Sequence, residues 1–129
     1  MQAFLFIDLT TPASYHQPVL ERVKAVLPKV SVLDLDAESD EMMQHYALRL
    51  LRNSGKLVVC IKADEGVTEI AVLMPFLEEL FQENPDRLVL LLGHHTRLSR
   101  MFEARPEVNF KVVGEGEVVE ETEKFLHSY

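Results

Sequence analysis

Leu57 to Ile61 is an unbroken apolar run containing two valines and an isoleucine, with Gly55 before it and Asp64-Glu65-Gly66 after it. A strand of this composition is covered on both faces, which requires helices above and below a parallel sheet. Ala3 to Leu9 and Leu88 to Leu92 are two more runs of the same kind. Two other segments, Lys29 to Asp36 and Val108 to Val112, alternate apolar and polar residues, as strands with one face partly in water do.

Between these five segments the apolar period lengthens to three and four residues, the spacing of one face of a helix. Val19, Leu20, Val23, Val26 and Leu27 form the first stripe. Met42, Met43, Tyr46, Ala47, Leu50 and Leu51 form the second, opened by Ser39-Asp40-Glu41 as cap and acidic first turn, with Gly55 as a left-handed C-terminal cap. Ile70, Leu73, Met74, Leu77, Leu80 and Phe81 give the third, a helix over 67–83 bent by Pro75. Thr96 caps a short fourth helix, and Val118, Val119, Thr122, Phe125 and Leu126 line the last.

Five strands alternating with five helices, three strands buried and two at edges, fit the order 2-1-3-4-5 with right-handed crossovers. The expected fold is a flavodoxin-like three-layer α/β sandwich with a five-stranded parallel sheet. It is expected to occupy 1–129 as one domain, since a chain of this length supports one core.

The formal net charge of −8 disfavours nucleic acid and anionic membrane surfaces, whose binding rests on Lys and Arg. No apolar run approaches the roughly 20 residues that span a bilayer, and the amino terminus reads as a strand rather than a secretion signal. A cytoplasmic setting is the expectation. Cys60, the single cysteine, lies in an apolar run and reads as a buried small hydrophobe.

Ligands of such sheets bind beyond the carboxyl ends of the strands, where the order reverses between strands 1 and 3. The loops there carry Asp8, Thr10, Thr11 and Ser14, then Asp64, Glu65, Gly66, Thr68 and Glu69. Beside them stand Gly93, His94, His95, Thr96, Arg97 and Arg100. Neither a G-x-G-x-x-G nor a Walker loop occurs, which argues against the familiar dinucleotide and nucleoside triphosphate sites, and no cofactor is expected. His94-His95 reads as a solvated loop pair rather than a metal site, because neighbours on an extended segment point apart and no third ligand has a recognisable spacing. Arg97, Arg100 and Arg105 form the basic cluster of the chain, suited to an anion or to salt bridges with neighbouring helices.

Ser54, Val58, Val59, Asp64, Gly66 and Glu69 resemble the nucleoside deoxyribosyltransferase and TIR-like group of sandwiches over residues 54–69. The resemblance implies that Glu69 acts at a sugar's anomeric carbon, with Asp8 or Asp64 orienting the sugar. Here the step from glycine to glutamate is one residue shorter than is usual in that group. The bland alternative has Glu69 simply charging a helix start. The chain also resembles response-regulator receivers, in which Asp64 and Thr96 would match the phosphoryl-accepting aspartate and its hydroxyl neighbour, whereas Lys111 lies inside strand 5.

Val72 and Phe76 fall outside the main stripe of the third helix and, if exposed, would form a patch that monomers seldom tolerate. A homodimer or a docked partner through the helix 67–83 surface is therefore expected. Two functional expectations follow: a small self-associating binding or regulatory module without catalysis, or an enzyme acting on the N-glycosidic bond of a nucleoside or nucleotide with Glu69 as nucleophile.

Overall fold

The computed structural model describes residues 2–10, 18–36, 40–68 and 70–127. The chain runs β1 (Ala3–Asp8), α1 (Pro18–Val26), β2 (Ser31–Asp36), α2 (Glu41–Asn53), β3 (Leu57–Ala63), a 3-10 turn (Ala71–Leu73), α3 (Met74–Leu80) and β4 (Arg87–Gly93). It continues through α4 (Thr96–Glu103), β5 (Asn109–Val113), a second 3-10 turn (Glu115–Glu117) and α5 (Val118–Leu126). The five strands are parallel and lie in the order β2-β1-β3-β4-β5. This is the flavodoxin-like arrangement, and β1 and β3, adjacent at its centre, define the point where the strand order reverses. No helix among the described residues is long and apolar enough to cross a membrane.

Alternation along the strands divides the core into two. Leu5, Ile7, Val59, Ile61, Val89 and Leu91 face α2, α3 and α4, while Phe4, Phe6, Val58, Cys60, Leu88 and Leu90 face α1 and α5. Phe102 stacks on Phe110 with centroids 4.7 Å apart and meets Phe81 edge-on at 5.2 Å, so β5 is held to α3 and α4 by aromatic contact. Arg105 places its guanidinium over the Phe81 ring, 3.9 Å from its centroid, and donates to the Met101 carbonyl. That member of the basic cluster is thus part of the packing, while Arg97 and Arg100 are exposed on α4.

The third helix departs from the expected span. Pro75 sits in the first turn of α3, where a missing N–H costs nothing, and the 3-10 turn precedes it, so the proline starts the helix instead of bending it. The buried face follows the i, i+3, i+4, i+7 spacing from Leu73. Leu73, Phe76, Leu77 and Leu80 turn inward, and Met74 turns out. Phe76 is 1% exposed and Val72 is half-buried against the same cluster. The exposed patch expected of these two residues is therefore corrected: both belong to the chain's own interior.

α2 is also rotated from its expected stripe. Ala47 and Leu51 are buried, whereas Met42 and Tyr46 are 80% and 60% exposed. Asp40 caps this helix by accepting from Met43 N at 2.9 Å. Its other end is closed by Ser54 in extended conformation, whose hydroxyl donates to Leu50 O at 2.6 Å. The expected left-handed cap at Gly55 is absent, since Gly93 is the single described residue with positive φ. Arg87 finishes the closure: its guanidinium donates to the carbonyls of Leu51, Ser54 and Gly55, and burial lowers its pKa from the ordinary value.

Thr122, on the inner face of α5, is fully buried, and its hydroxyl finds no hydrogen-bond partner among the described residues. A buried hydroxyl in that state costs free energy that an isosteric methyl would not. Thr122→Val is expected to stabilise the domain by about 1 kcal/mol, read as a higher urea midpoint at unchanged slope.

Candidate functional site

The carboxyl ends of β1, β3 and β4 open onto a cavity of about 310 Å³ lined by Thr10, Lys62, Ala63, Asp64, Leu92, Gly93 and Glu115. Larger depressions of about 450 and 510 Å³ run along α5, one beside the edge strand β5 and one beside α1, and neither reaches the β1/β3 rim. Position favours the smaller one, because it gathers residues from the carboxyl ends of β1, β3, β4 and β5, four neighbours in the sheet, at the switch point.

Parallel register shows how the sequence builds its floor. Asp36, Asp8, Lys62, Leu92 and Val113 are successive partners across β2, β1, β3, β4 and β5. Counting by two from Phe4 and Phe6, from Val58 and Cys60, and from Leu88 and Leu90 puts Asp8, Lys62 and Leu92 on the α1/α5 face. The column Val58, Cys60, Lys62 thus changes from apolar to cationic at the rim. Burial pushes the Cys60 thiol pKa far above its ordinary value, and the Lys62 charge partly opposes this. The thiol is an inert core group.

The carboxylates of the rim mostly hold its loops. Asp8 is buried, and its Oδ1 accepts from Thr10 N at 2.9 Å and Thr10 Oγ1 at 2.5 Å. Asp64 Oδ1 accepts from Gly66 N at 2.9 Å, an Asx turn. Glu65 reaches across to the next loop, where Thr96 N and Oγ1 both donate to its Oε1 at 2.6 Å. Those bonds, helped by His94 at 3.5 Å, hold the exposed Glu65 carboxyl below the usual carboxylate range.

His95, read from the sequence as part of a solvated pair, is 4% exposed. Its Nδ1 accepts from Leu98 N at 3.1 Å, so His95 and not Thr96 is the N-cap of α4. Its Nε2 lies 2.8 Å from Val67 O, and with Nδ1 accepting, Nε2 carries the proton. The expectation of a solvated ring is corrected for this residue and holds for His94, whose side chain is exposed. No group of three or more metal-binding side chains occurs among the described residues.

Of the residues singled out from the sequence, Thr10, Asp64 and Gly93 line the cavity. Gly66, Thr68, His94 and Arg97 are exposed on the flanking loops and on α4. Glu69, Thr11 and Ser14 lie outside the described residues. Lys111, the receiver-type lysine candidate, donates to Glu121 Oε2 at 2.6 Å from within β5. The two other charged cavity residues, Lys62 and Glu115, were not anticipated, nor were the apolar Ala63 and Leu92 as lining. Lys62 escaped because the third strand was ended at Ile61; carrying its alternation two residues further finds it. Glu115 lies in the turn after β5 and has no signal in its own neighbourhood. No protein-family model matches the chain, and no curated protein matches it.

Proposed function

We propose that this protein is a small binding or regulatory module whose ligand site is the rim cavity above β1, β3 and β4. The observation that carries this reading is the cavity itself, about 310 Å³ at the switch point, with a lysine and two carboxylates in its wall. The state of the acids supports binding over chemistry. Asp8, which the N-glycosidic reading offers for orienting a sugar, is buried and accepts from both Thr10 donors of its own loop. The burial of Phe76 takes away the apolar patch on which self-association through α3 was argued, so recognition is assigned to the rim.

The test is a titration of the labelled chain with nucleosides, sugar phosphates and amino acids, following backbone amide shifts. Perturbations are expected to concentrate at Thr10, Lys62, Asp64, Gly93 and Glu115. Hits that all map to other surfaces would remove the reading. Release of free base from a nucleoside or NAD, lost in Glu69→Gln, would replace it with the N-glycosidic one.

A further inference from the structure

We propose that the rim cavity takes a small zwitterion, an amino acid or a molecule with the same two charges, its anionic group on the Lys62 ammonium and its cationic group toward Asp64 and Glu115. This rests on the rim being the ligand site. Lys62 is half-buried, and its ammonium has no hydrogen-bond or ion-pair partner among the described residues. Carboxylates stand near it but none makes a direct bond to it, so a ligand anion can take the contact that the chain leaves open. Asp8, its register partner on β1, directs Oδ1 to both Thr10 donors instead.

The same wall argues against a plain or multiply charged anion. Asp64 and Glu115 line the cavity, so a phosphate there would face two carboxylates for one ammonium, with the buried Asp8 a further negative charge one strand away. A molecule with one negative and one positive end matches both kinds of lining. The volume also sets a limit, being near the low end for small-molecule sites.

Calorimetric titration of the full chain with the standard α-amino acids tests this, using their α-amides to delete the anion, their N-acetyl forms to delete the cation, and inorganic phosphate as a further arm. At least one amino acid is expected to bind, with both charge-deleted forms weaker by about tenfold or more. Lys62→Met is expected to weaken binding by a similar factor, and Lys62→Arg to keep it within a few-fold. Failure of every amino acid to bind, or equal affinity for an α-amide, an N-acetyl form or phosphate, would overturn the zwitterion. An amino acid that shifts the Thr10, Lys62 and Gly93 amides yet ignores Lys62→Met would overturn the role of Lys62 and leave the rim site standing. Shifts confined elsewhere would remove both.

Discussion

Phe76→Ala is expected to lower the stability of the isolated chain by roughly 3–5 kcal/mol, the usual cost of emptying a buried aromatic site. Phe76 is among the largest fully buried side chains and packs in one cluster with Leu73, Leu77 and Leu80 under β1, β3 and β4. The neighbours belong to a sheet and two helices, so they cannot collapse fully into the space left behind. Urea unfolding should show a lower midpoint that does not change with protein concentration. Had the residue faced a partner chain, truncation would instead leave the monomer within about 0.5 kcal/mol of the parent and alter only its sedimentation.

The second large effect is expected at Gly93. Its φ is +107°, and a Cβ placed there would come 2.3 Å from the Ala63 carbonyl oxygen, its register partner on β3. The contact is with backbone, so no rotamer change relieves it, and the dihedral itself disfavours any side chain. Gly93→Ala is expected to cost about 2–4 kcal/mol. It should also push β3 and β4 apart where Lys62, Ala63 and Gly93 line the cavity, so amide shifts should spread through the rim. Gly116→Ala is the control: nothing lies within 4 Å of its added methyl, and the change should stay within about 0.5 kcal/mol.

The sheet was legible in the sequence because a strand buried on both faces has few compositions open to it. Ala3–Leu9, Leu57–Ile61 and Leu88–Leu92 placed three strands centrally, and the alternating segments took the edges, as found. Helix faces were less legible. Periodicity left two apolar choices beside Leu73, Leu77 and Leu80, and the buried face runs through Phe76 at the i, i+3, i+4, i+7 spacing and leaves Met74 outside. At the rim, local reading found the residues that shape single loops, such as Asp8 and Asp64. It missed Lys62 by ending the third strand at Ile61, and it missed what depends on distant partners: His95 needs the carbonyl of Val67, 28 positions earlier.

The loop after β3 and the loop after β4 are tied twice, by Glu65 to Thr96 and by His95 to Val67. One tie lies at the surface and the other inside, so the pair resists both twisting and lifting. The two segments therefore form a single lip over the rim, anchored at the start of α4, and moving one away from the other means breaking these bonds.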